Sequence, residues 1–342
     1  MTEKHTVENE KNESTLPQEP VSGGVYDNPL SDAGFKKLLA SAKSLTNFLN
    51  SVMHLDKERE IASLKFKTKR ITYQSEDAEG GEKETWCFDI RAQTRDGRAV
   101  DIEVQNRCHH FFSDRVLTYG SALMLKAKAE LDKTREEETK KKLASREPPV
   151  LTVDEKRDIR SRAYELPETV CVWVCNFPVP ETSTETWDDW MLYSGNELKK
   201  GSLLPISDRI KYIFLQLPNF NKGADELSTD EDQWIYVLKH AFASAAEFDI
   251  KNDAVTEALE RLKSSEKDED KPVMTKKERD CIIASLEIDA EKAREKAERL
   301  EKQLADKDAE NAAKDAENAS LAAENASQAA RIKELEAALA AK

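Results

Sequence analysis

Residues 86–105 (WCFDIRAQTRDGRAVDIEVQ) bring two acids and an amide into a suggestive spacing. Arg95-Asp96-Gly97 has the make-up of a three-residue hairpin loop with glycine at the left-handed position, which pairs Thr94 with Arg98. Counting back in antiparallel register sets Asp89 opposite Glu103, and Gln105, two residues on, shares the face of Glu103. Phe88, Ile90, Ile102 and Val104 then turn to the other side, toward a core. Like charges directly opposite one another destabilise a sheet. Such a pair is either the solvent-facing side of an amphipathic hairpin or the holder of a hard, oxygen-seeking cation, Mg²⁺ or Mn²⁺. A cation of that kind generates hydroxide from bound water and neutralises charge on a phosphoryl group. The local pattern alone leaves both readings open.

The flanking elements must carry this hairpin. Residues 31–55 read as one helix, with Phe35, Leu38, Leu39, Ala42, Leu45, Phe48, Leu49, Val52 and Met53 on a broad apolar face. Strand-like segments follow at 61–73, 85–94 and 98–105. A second helix is expected to start near Ser113 and run through Tyr119, Leu123 and Met124. Residues 126–163 are densely charged and read as a helical excursion, broken at Pro148-Pro149 and projecting from the core. The apolar runs 169–177 (TVCVWVCNF) and 209–217 (RIKYIFLQL) predict strands covered on both faces by helices, an α/β arrangement. Residues 230–248 read as an amphipathic helix and 251–272 as a charged linker or loose helix.

Taken in order, these stretches resemble the PD-(D/E)XK nuclease superfamily, and within it the recombination-promoting nuclease or putative-transposase family. The superfamily places an Asp on one strand and (Asp/Glu)-x-Lys on the next; here Asp89 is followed by Glu103-Val104-Gln105, and that family commonly has Gln in the last place. Ser31-Asp32-Ala33-Gly34-Phe35-Lys36-Lys37-Leu38 is similar to the family's opening D-x-x-F-K-x-L helix. Arg115 and Tyr119 resemble the R-x-x-x-Y after the E-x-Q strand. Residues 170–177 and 212–220 resemble the two later strands, and Trp234-Ile235-Tyr236-Val237-Leu238-Lys239 the Trp-containing helix. The similarity runs over roughly residues 25–285.

The resemblance implies a restriction-endonuclease-like mixed central sheet flanked by helices, and a Mg²⁺- or Mn²⁺-dependent endonuclease acting on DNA. It implies Asp89 and Glu103 as metal ligands together with the carbonyl of Val104, and Gln105 placing the attacking water. Asp32 would add a further acid, or else a carboxylate favourably placed on its helix dipole. Arg115 would hold a phosphate, while Tyr119 packs. Gln in place of Lys removes a positive charge from the site, so a basic residue from elsewhere, or a slow reaction, is expected. The charged excursion at 126–163 departs from the compact pattern. The rival reading is a nuclease-fold interaction protein without activity.

From 276 onward the chain takes the composition of a long solvated helix. A heptad register fits residues 286–339, with Leu286, Leu300, Leu321 and Leu335 among its d positions and Leu304, Ile332 and Leu339 among its a positions. Asn311, Asn318 and Asn325 occupy three successive a positions, which favours a parallel two-stranded coil in one register and hence a homodimer, while Lys307 and Lys314 at d and Ala290, Ala293 and Ala297 along the same seam leave a single solvated helix as the alternative. The expected organisation is a polar, disordered tail over 1–24, a nuclease-like domain over 25–275 and the coil over 276–342.

The net charge of −14 argues against indiscriminate nucleic-acid binding but not against a locally basic site; Arg91, Arg95, Arg98, Arg107 and Arg115 cluster near the hairpin. Five scattered cysteines include no C-x-x-C pair, and Cys108-His109-His110 lacks a second cluster to complete a zinc site. Cys171 and Cys175 read as buried thiols. There is no basic-then-apolar leader pattern and no apolar run near the ~20 residues of a membrane span, so an intracellular protein is expected.

Overall fold

The computed structural model describes residues 24–74, 83–180, 182–201, 204–263 and 276–340. Apart from Gly24, the tail expected over 1–24 lies outside them. Two compact units emerge, Met1–Val273 and Met274–Lys342.

The first unit is built on a six-stranded mixed sheet in the order β1-β4-β5-β6-β8-β7, as the α/β expectation required. Its strands are β1 (Leu64–Phe66), β4 (Ile90–Thr94), β5 (Ala99–Gln105), β6 (Thr169–Cys175), β7 (Trp187–Tyr193) and β8 (Pro205–Gln216). β4 and β5 form the antiparallel hairpin, β5, β6 and β8 run parallel, and β7 closes the far edge antiparallel to β8. Every residue of β6 is buried, and its alternation shows why so apolar a run is needed. Val170, Val172 and Val174 enter one hydrophobic layer, while Cys171, Trp173 and Cys175 enter the other. Each of these valines contributes about 1.5–3 kcal/mol of burial.

The first layer is covered by α1 (Asp32–Leu38), α2 (Ala42–Val52), α6 (Asp230–His240) and α7 (Asp253–Leu262). The expected single helix at 31–55 is two: Ser41 caps α2 by accepting from the Ser44 N–H, and the break resets the helical phase. Ala42 is therefore exposed, although the rest of the expected apolar face is buried. The segment 251–272, expected as a charged linker or loose helix, holds a core helix, α7, burying Ala254, Val255, Ala258, Leu259 and Leu262, and its residues 264–272 lie outside the described ones. Its Arg261 guanidinium donates to the carbonyls of Lys37 and Leu38 and to Ser44 Oγ, satisfying the helix end exposed by that break. Trp234 of α6 donates to Asn47 and packs edge-on against Phe48 at 5.6 Å.

The second layer lies under α3 (Phe112–Ala144), which starts where expected but runs for 33 residues, about 50 Å. Its buried residues end at Ala127, so the charged half extends beyond the core. α4 (Val153–Ser161), with a Thr152/Glu155 capping box and no buried residue, completes the helical excursion. The strands β2 (Arg70–Gln74) and β3 (Lys83–Cys87) pair only with each other, forming a separate ribbon. The segments read as single strands at 61–73 and 85–94 are thus each split between two sheets. The strand β7 and the short α5 (Gly195–Lys199) were not foreseen, and the Asp-rich run 187–193 explains why β7 escapes notice. The helix expected over 230–248 ends at His240, followed by a short 3₁₀ turn.

The second unit is described by one helix, α8 (Lys276–Ala340), 65 residues long. Leu300, Leu304, Leu321, Ile332 and Leu335 are exposed on it. Among the described residues, no helix is long and apolar enough to cross a membrane.

Candidate active site

The hairpin holds the expected register. Thr94 N–H donates to the Arg98 carbonyl at 3.0 Å, Gly97 takes φ 95° in the loop, and Ile90 pairs with Ile102. Asp89 therefore stands opposite Glu103 at the point where β4 begins. The two carboxylates are cross-tied through the backbone: Asp89 N–H donates to Glu103 Oε1 and Val104 N–H donates to Asp89 Oδ2, both at 2.9 Å. Glu103 Oε2 faces Arg115 Nη2 at 3.5 Å. Phe88 departs from the expected alternation. The chain kinks at Phe88–Asp89 between β3 and β4, so Phe88 packs in the second layer against Tyr119, with ring centroids 5.1 Å apart.

Other elements bring further charge to this point. Asn106, just past β5, donates to the Leu30 carbonyl at 2.7 Å and so anchors the start of α1 beside the strand end. Ser31 caps α1, and Gly34 packs so closely that a Cβ there would stand 1.9 Å from the Asn28 carbonyl oxygen. α1 thereby presents Asp32, ion-paired with Lys36, to the site. From the second layer, α3 supplies Arg115, whose guanidinium also lies over the Tyr119 ring at 4.8 Å. The carbonyl of Lys69 accepts from Phe88 N–H at 2.8 Å, which brings Lys69 beside Asp89. Gln105 ends β5 half-buried on the same side as Glu103.

Burial dominates the electrostatics. It raises the Asp89 pKa to about 6, reinforced by the Asp32 charge and opposed by the Val104 N–H and the Lys36 and Arg115 cations. Burial, then the Asp89 and Asp101 charges, push Glu103 well above the usual carboxylate range. Partial burial and the neighbouring Lys36 ammonium lower the Lys69 pKa. Carboxylates held together in this way favour either a proton or a cation.

Asp101 was missed at the sequence level. It lies two residues before Glu103 on the same face, fully buried opposite Arg91, and neither of its oxygens has a hydrogen-bond partner. Strand alternation alone could have found it. Lys36 and Lys69 were missed as site cations because no local spacing relates them to Asp89. Of the five arginines near the hairpin, Arg91 and Arg98 prove to be buried in salt bridges with Glu130 and with Asp96 and Glu168. Cys171 and Cys175 are buried thiols, as expected.

The donor set suits a hard cation: two carboxylates and the adjacent Val104 carbonyl are all oxygen. Among the described residues, no group of three or more His, Cys, Asp or Glu is arranged to hold a metal. Two protein carboxylates with water and substrate phosphate completing the shell are the usual arrangement for Mg²⁺.

A mixed sheet covered by helices on both faces, with an Asp and a Glu-x-Gln side by side at a hairpin, defines a PD-(D/E)XK-type fold. A model of the PD-(D/E)XK nuclease family transposases matches residues 29–144 and 152–316, and the chain belongs to that family. No curated protein and no solved structure matches it. Membership points to a nuclease or transposase role, to DNA as partner and to the divalent metal ions such nucleases typically use. Only residues 145–151 of the charged excursion fall outside the match, so most of it belongs to the family pattern rather than departing from it. The match also runs to residue 316, well beyond the expected limit near 285.

Proposed function

We propose that the protein is a metal-dependent endonuclease that hydrolyses DNA phosphodiester bonds. The observation carrying this reading is the pair Asp89 and Glu103, set opposite each other and each bonded to a backbone N–H beside its counterpart. Holding two acids together at a strand end, with Glu103 buried, is unfavourable without a proton or a cation to offset them, and a bound metal ion supplies the latter.

In this reading Asp89, Glu103 and the Val104 carbonyl hold Mg²⁺ or Mn²⁺, and Asp32 supports them from α1. The bound cation would lower the pKa of a water and offset charge on the phosphoryl oxygens. The Gln105 amide, on the same strand face as Glu103, accepts a hydrogen bond from that water and orients it. Arg115 holds Glu103 in place and offers its remaining donors to the phosphate. The α8 heptads pair two chains in parallel, giving a homodimer with two cutting centres. A cytoplasmic location goes with this reading.

Plasmid nicking in Mg²⁺, Mn²⁺ and EDTA tests the reading. Wild type should nick in either metal and not in EDTA, whereas Asp89→Ala and Glu103→Ala should lose nicking while unfolding as cooperatively as wild type. Equal nicking by wild type and both variants would expose a contaminant and end the assignment.

A further inference from the structure

A basic run near the site, Lys65-Phe66-Lys67-Thr68-Lys69-Arg70, extends from the end of β1 to the start of β2, and among the described residues only its Lys67 enters a salt bridge. It carries four positive charges and no negative one in a chain of net charge −14. Lys65, Lys69 and Arg70 are exposed and make no salt bridge among the described residues, while Lys67 is drawn to Glu130. Phe66 is exposed as well, at 46 %.

The run is anchored rather than loose. Lys67 N–H donates to the Arg91 carbonyl at 2.7 Å, the Arg91 guanidinium donates to the Thr68 carbonyl at 3.3 Å, and the Lys69 carbonyl accepts from Phe88 N–H. Buried Arg91 thus serves as a strut for the run instead of a surface cation. The last of these bonds sets Lys69 next to Asp89, with Lys36 of α1 also close by. Lys36 is paired with Asp32, whereas Lys69 makes no salt bridge among the described residues, and this edge is continuous with the exposed charges of Lys65 and Arg70, a basic surface that attracts anions.

We infer that the run from Lys65 to Arg70 is the DNA-gripping strip of the protein, binding the phosphate backbone of a duplex, with Lys69 on the phosphate nearest Asp89 and Glu103. The inference rests on the nuclease reading for its choice of DNA. Lys69 thereby supplies, from a neighbouring segment, positive charge of the kind that Gln105 cannot.

Binding measured without cleavage tests it. Fluorescence anisotropy of a labelled DNA duplex with the full chain in EDTA should show Lys65→Gln/Lys69→Gln/Arg70→Gln weakened by about tenfold or more. Three lost phosphate contacts should also flatten the dependence of log K on log salt by about 2.7, at ~0.9 per contact. Thermal unfolding of the triple variant should match wild type, because the three side chains are exposed.

Wild-type affinity and slope in the triple variant would overturn the inference, as would a wild-type chain that fails to bind DNA. Tighter binding of wild type to duplex RNA or to phosphatidylglycerol vesicles than to DNA would overturn the choice of partner. The two readings fail separately: a chain that binds through the strip but leaves plasmid intact in Mg²⁺ loses only the nuclease, and a chain that nicks with an unaffected triple variant loses only the strip.

Discussion

Asp89 is ionised at a cost in the folded chain. It takes up its proton at about 6 rather than at the ordinary 3.8, chiefly because burial disfavours the charged form. Below about pH 4 the group is protonated in both folded and unfolded chains. Between that point and about pH 6 the folded chain holds the proton that the unfolded chain has released, so stability falls as pH rises through the window. Asp89→Asn, which retains an oxygen for the Val104 N–H, should therefore raise the melting temperature at pH 7.5 in EDTA by about 2–6 °C, or roughly 1–2 kcal/mol. The gain should shrink toward zero as pH is lowered to 4, which scanning calorimetry over that range would show; a variant less stable than wild type at pH 7.5 contradicts it. At Gln105, a lysine should maintain or increase the nicking rate by adding charge, and Gln105→Leu should reduce it at least tenfold by removing the hydrogen bond to water. Unchanged single-turnover rates in both variants would remove Gln105 from the chemistry.

At the scale of elements, the site depends on where α1 starts. Asn106 bonds Leu30, Ser31 caps the helix, and Gly34 lets the Asn28 carbonyl approach within a distance no Cβ tolerates. Gly34→Ala must push the 28–31 turn away, and with it Asp32 and Lys36. A loss of about 1–3 kcal/mol is expected from such overpacking, together with a reduced nicking rate. Thermal unfolding and plasmid nicking on the same sample check both; a variant that melts and nicks like wild type would show that α1 is not held by this contact. Arg261 plays a comparable part from α7, since its guanidinium is shared by Lys37, Leu38 and Ser44.

For the whole molecule, a centre of the proposed kind would hydrolyse one strand at a time. Two centres joined by a parallel coil would raise each other's effective concentration. Exposed Leu300, Leu304, Leu321, Ile332 and Leu335 along α8 are what an unpaired half of such a coil presents. The full chain should sediment as a dimer at micromolar concentration, and a chain ending near Cys281 as a monomer that still nicks. Replacing Asn311, Asn318 and Asn325 by Leu should tighten association and broaden the range of oligomers, because amides enclosed in such a seam would specify two strands at a cost in stability. A full-length monomer in light scattering leaves α8 as a solitary solvated helix.

What the amino-acid order determined by itself was everything governed by neighbours a few residues apart. The Arg95-Asp96-Gly97 loop set the hairpin register and hence Asp89 opposite Glu103. The unbroken apolar run of β6 required cover on both faces, and the family pattern was legible in the order of its motifs. Tertiary structure alone decided what depends on distant partners. Arg261, more than two hundred residues from Lys37, completes the break between α1 and α2 that helical periodicity could not reveal. The kink at Phe88 sends that ring to the opposite layer because Tyr119 of α3 waits there. The cations of the site were hidden for the same reason: Arg91 and Arg98 look like surface charges until Glu130 and Glu168 fold onto them, and Lys69 reaches Asp89 only once β2 and β3 pair. Charge in a sequence has no address until packing determines which groups lose their water.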